Sequence, residues 1–239
     1  MIIIPARVQS SRFPNKVLAD IGGLPMVIKT AQVASVVDKV YIATDSKEVI
    51  DIAKNYGFEA ILTSKSCNSG TDRIYEAATK IGCQDNEIII NIQADEPFIE
   101  TDVIKELFNL TKEYASNEDV IISTLFKIVS KDKAQDSNLV KVVTTNNNFA
   151  LYFSRSIIPF NRENSNINYK AHLGVYGFTY KKLKTFCNLK ESFLEDSEKL
   201  EQLRVLENGY KIAIKEVKSS SFGIDTKEDL EKALKIFLI

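Results

Sequence analysis

Short apolar runs alternate with helical patterns through the first half of this chain. Ile2 to Ala6 is apolar throughout and predicts a buried strand. A polar, basic loop follows, and Pro25 opens a helix through Met26, Ile28 and Val33. Val40 to Ala43 reads as the next strand, with a helix face at Val49, Ile52, Ala53 and Tyr56. Ala60 to Leu62 is a short strand. Ile74, Ala77, Ala78 and Ile81 then recur at helical spacing and form one stripe. Ile88 to Ile92 is apolar at four of its five positions, as expected for a strand covered on both faces of a parallel sheet. Val103, Ile104, Leu107 and Phe108 begin another helix. Strands alternating with helices predict a doubly wound α/β sheet.

The second half is less regular. Val120 to Phe126, Val140 to Thr144 and Ala150 to Arg155 read as strands with little helix between them. Asn161 to Lys170 is polar and reads as a loop, and Leu173 to Phe178 alternates like a strand. Leu200 to Leu206 is helical, with Gly209 placed to end it. Tyr210 to Val217 is a strand. Thr226-x-x-Asp229 resembles a capping box, followed by Leu230, Ala233, Leu234 and Phe237 at helical spacing. The mixed segment suits a small antiparallel lobe that builds a sugar site and a dimer face. The division expected is 1–125 with 211–239 as core and about 126–210 as lobe.

Composition narrows the classes. Lys plus Arg number 31 against 32 Asp plus Glu, and this near-neutral balance argues against a protein that wraps nucleic acid. It leaves room for a local basic pocket. The three cysteines, Cys67, Cys83 and Cys187, are odd in number and widely spaced, which suits buried free thiols in a reducing cytosol. The short Ile2-Ile3-Ile4 run lacks a charged lead, and no apolar run approaches a membrane span, so a cytoplasmic protein without membrane insertion is expected.

Four segments offer chemistry. The loop after the first strand carries Arg7, Arg12 and Lys16 with Ser10 and Ser11, where ligands meet α/β sheets. Arginine forks and a lysine ammonium suit phosphate oxygens, although a solvated basic loop has the same composition. It is neither a GxGxxG nor a Walker A loop. Asn91-Ile92-Gln93-Ala94-Asp95-Glu96-Pro97 runs from a buried strand into two carboxylates. Mg²⁺ takes one or two carboxylates plus phosphate oxygens, which favours Asp95 as a ligand; Glu96 reads as a cap for the next helix. Asp225 precedes a helix that Thr226 already caps, leaving its own carboxylate available. Ser69-Gly70-Thr71-Asp72-Arg73 opens a helix and suits an anion, though capping by Thr71 explains part of it. His172 is the sole histidine, and a lone histidine more often packs than reacts. Glu201 and Gln202 would ordinarily be a solvated helix face.

Taken in order, these segments resemble the Kdo (3-deoxy-D-manno-octulosonate) cytidylyltransferase family over the whole length. The resemblance runs through IIIPARVQSSRFPNK at 2–16, ATDS at Ala43–Ser46, SGTDR at Ser69–Arg73 and NIQADEPFI at Asn91–Ile99. It continues through LVKVV at Leu139–Val143, YFSRSIIP at Tyr152–Pro159, HLGVYGF at His172–Phe178, LEQLRVLENGYKI at Leu200–Ile212 and GIDTKEDL at Gly223–Leu230. LEQLRVLE with HLGVYGF points to Kdo rather than to sialic-acid activation. The family commonly has glycine where Asn15 and Ala94 stand here.

The resemblance implies a mixed α/β sheet like that of nucleotide-diphospho-sugar transferases, a homodimer, and CMP transfer from CTP to Kdo for lipopolysaccharide synthesis. It assigns Arg7, Arg12 and Lys16 to the triphosphate and Ala6, Thr44, Asp45, Ser69 and Gly70 to the cytidine. Asp95 and Asp225 would hold Mg²⁺, with Arg12 and Lys16 joining them in catalysis. Arg73, Gln93, His172, Tyr176, Glu201 and Gln202 would form the Kdo pocket. Competing readings are a cytidylyltransferase for another sugar acid, such as 8-amino-Kdo or a nonulosonic acid, and a non-catalytic nucleotide-sugar-binding protein.

Overall fold

The computed structural model describes residues 1–8 and 13–237. In chain order the elements are β1 (Ile2–Ala6), a 3-10 turn (Lys16–Leu18), α1 (Met26–Ser35), β2 (Val40–Thr44), α2 (Lys47–Asn55), β3 (Glu59–Leu62) and α3 (Gly70–Ile81). Then come β4 (Ile88–Asn91), α4 (Thr101–Glu113), β5 (Val120–Val129), α5 (Lys131–Ala134), β6 (Lys141–Thr144) and β7 (Ala150–Ser154). The chain closes with β8 (Tyr169–Thr179), α6 (Tyr180–Asn188), α7 (Phe193–Glu198), α8 (Leu203–Glu207), β9 (Lys211–Glu216) and α9 (Lys227–Phe237). They form two compact units, Met1–Lys105 with Ser219–Ile239, and Glu106–Lys218. No helix among the described residues is long and apolar enough to cross a membrane.

In the first unit the strands run parallel in the order β3-β2-β1-β4. All five residues of β1 are buried, which is why its sequence is a continuous apolar run. The order matters for function. The chain steps outward from β1 to β2 to β3, then returns to place β4 on the other side of β1. The β1/β4 boundary is therefore the topological switch point, where α/β sheets open a crevice at the carboxyl ends of their strands. The loops carrying Arg7 and Asp95 leave from those ends. The α3 stripe buries Ile74, Ala77 and Ala78, and Gly82 ends the helix at φ 84°. The chain re-enters this unit at Ser219. Ile21, Met26, Ile224 and Ala233 form one buried cluster, against which Phe98, Phe222 and Phe237 pack. Burying Ile224 alone contributes about 1.5–3 kcal/mol. That packing brings the Asp225 segment to the Asp95 loop, and Ile224 N–H donates to the Asp95 carbonyl at 2.9 Å.

The second unit is a mixed sheet. β5 pairs antiparallel with β8 but parallel with β9, while β6 pairs antiparallel with β7 and β8. Pairing between β5 and β8 jumps from Thr124↔Tyr176 to Leu125↔Leu173, which leaves Gly174 and Val175 as a bulge. Three expectations are corrected here. The 161–170 loop ends early, because Tyr169 is buried and already starts β8. Residues 180–198 hold α6 and α7, neither of which was expected. The helix expected from Leu200 begins at Leu203, with Glu201 in a turn and Gln202 as its N-cap. All three cysteines are free, but only Cys83 is buried; Cys67 and Cys187 are half-buried.

Candidate active site

The site begins with backbone geometry. Asn15 sits in the left-handed region at φ 58°, ψ 24°, and starts the 3-10 turn that carries Lys16. Asparagine tolerates that region better than most side chains, so the position that is commonly glycine in the resembled family keeps its turn. Phe13 and Val17 bury on either side and anchor the loop. Lys16 then reaches the β4 loop and the α9 entry together. Its ammonium donates to Asp95 Oδ2 at 2.5 Å and to Asp225 Oδ1 at 2.8 Å. Burial pulls the Lys16 pKa down, but the two carboxylates outweigh it and hold the pKa above the ordinary lysine value. Two aspartates 130 positions apart thus converge on one cation.

That convergence separates Asp225 from helix capping. Thr226 and Asp229 make the capping box of α9 themselves: Thr226 N–H donates to Asp229 Oδ2 at 2.9 Å and Asp229 N–H to Thr226 Oγ1 at 3.1 Å. Glu96 does not cap α4 as expected, because the helix starts only at Thr101. Its backbone is used in the turn instead, with Glu96 N–H donating to the Gln93 carbonyl at 3.2 Å. Ala94 is buried, and its carbonyl accepts from the Thr30 hydroxyl at 2.9 Å. The methyl in place of the common glycine is therefore accommodated beside Asp95.

The N-terminus of α3 lies against the same strand ends. Ser69, not Thr71, is the cap, in a reciprocal box with Asp72. A Cβ on Gly70 would sit at van der Waals contact with Gln93 Oε1 and Pro5 Cγ, each at 3.4 Å, which places the start of α3 beside the β1 and β4 ends. Arg73 is only 2% exposed, yet donates to Thr63 Oγ1 at 2.6 Å and to Asp45 Oδ2 at 3.1 Å. The Asp45 assigned to cytidine and the Arg73 assigned to sugar are thus ion-paired. Ala6 and Thr44 are buried at the ends of β1 and β2, and Arg7 is exposed just beyond β1. Arg12 lies outside the described residues.

In the second unit, His172, Tyr176 and Gln202 come together. The His172 and Tyr176 rings are 5.5 Å apart, and the Tyr176 hydroxyl donates to Gln202 Oε1 at 3.1 Å. Gln202 Nε2 is buried with no protein partner among the described residues, a donor that a bound ligand would satisfy. Burial pushes the His172 pKa down to about 3, so its ring is neutral at neutral pH. Burial first, and then the Glu201 charge, push the Tyr176 pKa up, which keeps its phenol protonated.

A cytidylyltransferase family model matches residues 1–214. The chain belongs to the cytidylyltransferase family. A 3-deoxy-manno-octulosonate cytidylyltransferase of Nitratiruptor sp. is 55% identical over 97% of each chain. That of Wolinella succinogenes is 49% identical over 99% of each. Among solved structures, a CMP:2-keto-3-deoxy-manno-octonic acid synthetase complexed with CTP superposes with TM-score 0.90 at 36% identity, covering 99% of this chain and 97% of the other. The doubly wound, mixed α/β sheet expected from the sequence is thus the fold of this cytidylyltransferase.

Sequence reasoning missed the two threonines that hold site residues. Thr63, just after β3, accepts from Arg73. Thr124, in β5, meets His172 Nε2 at 2.9 Å. Neither carries a local signal, since each partner is remote in sequence.

Proposed function

We propose that this chain transfers CMP from CTP to the anomeric 2-hydroxyl of Kdo, giving CMP-Kdo and pyrophosphate. The observation that carries the reading is the cation-bridged pair Asp95–Lys16–Asp225 at the carboxyl end of β4. The names of the Nitratiruptor and Wolinella relatives, and the CTP held by the solved synthetase, supply the substrates. A protein that merely bound a nucleotide sugar would have no need for two carboxylates gathered on one positive charge.

The pair fits Mg²⁺. Two carboxylates already share a cation here, and Mg²⁺ asks for one or two carboxylates with phosphate and water completing its shell. No group of three or more His, Cys, Asp or Glu among the described residues forms a fuller protein cage. Asp95 and Asp225 would hold the ion, which when bound would supply positive charge between the two anionic substrates and lower the pKa of the attacking hydroxyl.

The rest falls to the chain. Lys16 would meet the triphosphate, where negative charge grows on the leaving pyrophosphate. Arg7, with Arg12, fixes the phosphate chain so that the sugar hydroxyl lies in line with the α-phosphorus. Ala6, Thr44, Ser69 and Gly70 would border the cytidine, with Asp45 beside it holding Arg73. Gln93 and Arg73 keep the sugar-side roles that the resemblance assigns them. In the second unit, His172, Tyr176, Glu201 and Gln202 would read the sugar acid. No nucleophilic triad is needed, because positioning and charge carry the reaction. We place the enzyme in the cytoplasm, as a homodimer. Pyrophosphate release should require CTP, Kdo and Mg²⁺ together. Equal turnover with 8-amino-Kdo or a nonulosonic acid would reassign the substrate, and no release with any sugar acid would sink the enzyme reading.

A further inference from the structure

Thr124 occupies a position with more acceptors around it than its single proton can serve. It is fully buried on β5, opposite the β8 bulge. At this irregularity the Leu173 and Val175 carbonyls both face the Thr124 hydroxyl, at 3.3 Å and 2.7 Å. The same oxygen lies 2.9 Å from His172 Nε2. A hydroxyl has one hydrogen to give and lone pairs to receive. At 2.7 Å from Val175, that hydrogen must point at the carbonyl; otherwise two oxygen lone pairs would meet at hydrogen-bond distance. The contact with His172 then has one consistent polarity, in which Nε2–H donates to Thr124. The ring is neutral, so its only proton is on Nε2, and Nδ1 is left with a lone pair. Among the described residues Nδ1 has no protein partner, and His172 retains 7% exposure.

We propose that Thr124 is a positioning residue: by taking the Nε2 proton of His172 it locks the tautomer whose Nδ1 accepts a hydrogen bond from a hydroxyl of the sugar acid. This rests on the sugar-side reading of His172. It goes further by assigning the ring's chemical role, an acceptor rather than a general acid or a cation, and by naming the residue that enforces it. Phe153, edge-on to the ring at 4.8 Å, and Tyr176 hold the plane in place, so the tautomer alone decides what Nδ1 offers.

His172 is the sole histidine, so ring-¹⁵N histidine labelling yields one pair of ring signals. The folded enzyme should show a protonated Nε2 and a pyridine-type Nδ1, and adding Kdo should move the Nδ1 resonance upfield. Thr124→Val should lose the tautomer preference and raise KM for Kdo about tenfold, the value of one neutral hydrogen bond near 1.4 kcal/mol. KM for CTP should stay unchanged, and Thr124→Ser should restore both the spectrum and KM. A proton on Nδ1 in the wild-type protein overturns the proposal. So does an Nδ1 signal indifferent to Kdo, or an unchanged KM in a Thr124→Val protein that folds. If Thr124→Val does not fold, the wild-type spectrum, its Kdo titration and the Thr124→Ser variant decide the matter. Absence of CMP transfer by the wild type would defeat the enzymatic reading instead, leaving the tautomer assignment to stand on its own spectrum.

Discussion

Replacing Lys16 with methionine in metal-free, nucleotide-free buffer should destabilise the protein, and Mg²⁺ should reverse much of the loss. Methionine keeps the length of the side chain and removes its charge. At an effective dielectric near 20, each contact, 2.5 Å to Asp95 and 2.8 Å to Asp225, has a gross attraction of about 6 kcal/mol. Desolvating the ammonium, whose side chain is 12% exposed, offsets most of that. Removing one partner of a well-buried pair costs about 3–5 kcal/mol. The Asp95 and Asp225 side chains are 25% and 39% exposed, so water recovers part, and about 1–3 kcal/mol should remain. For a chain of this size, that lowers Tm by roughly 2–12 °C. A divalent ion binding only the folded form stabilises it by mass action. The variant should gain more from it than the wild type, because no tethered ammonium competes for the carboxylates. Differential scanning calorimetry with EDTA and with a Mg²⁺ series measures both effects. A variant melting within about 1 °C of the wild type in EDTA, or an equal Mg²⁺ gain in both proteins, would refute the counter-ion reasoning.

Asp95→Asn and Asp225→Asn should each lower kcat by roughly 10²-fold or more, while stability falls by no more than about 1 kcal/mol because Lys16 keeps one carboxylate. The double variant should be little worse than the poorer single one; near-normal kcat in either single variant would remove that aspartate from the chemistry. His172 should dominate the acid limb of stability between pH 5 and 6.5. Its folded pKa is depressed to about 3 and its unfolded pKa is about 6.5, so in that window only the unfolded chain binds the proton and stability is lost as the pH is lowered. The loss reaches about 2 kcal/mol at pH 5; urea titrations should show that slope flattened in His172→Gln, and an unaltered slope would mean that other groups cause it.

The first unit was legible because its chemistry is periodic. β1 and β4 are apolar runs, and the α3 stripe at Ile74, Ala77, Ala78 and Ile81 has one solution. The second unit hid α7 for a physical reason. The buried residue of α7 is Glu195, held by Arg204 Nε at 2.7 Å, so no apolar stripe exists to be read; only the Ser192–Glu195 capping box marks it. Lys141 misleads in the same way. It sits in a strand as if facing solvent, yet it is fully buried, with its ammonium donating to the carbonyls of Asp136, Leu139 and Arg155 at 3.0, 2.6 and 2.5 Å. Backbone carbonyls that satisfy a charge leave no trace in side-chain pattern.

The same distinction runs through the site. Asp95 was legible as a residue type because charge at the mouth of an apolar strand is costly without a partner, Asp225 because Thr226 already caps its helix, and Lys16 as part of the basic loop after β1. Their convergence was implied only by the family resemblance, since it depends on contacts that no spacing encodes: the Ile224 N–H on the Asp95 carbonyl, and the Phe98–Phe237 stack at 4.5 Å. Those contacts are apolar or backbone-borne, and they are what deliver one carboxylate to the other across the fold. The ammonium then resolves the repulsion that this delivery creates. It follows that the aspartate pair should hold its geometry only while some cation sits between the two carboxylates, and the chain carries its own in Lys16. On the reading proposed above, Lys16 would hold the two carboxylates in place before the substrates arrive and would give them up to the metal when they do.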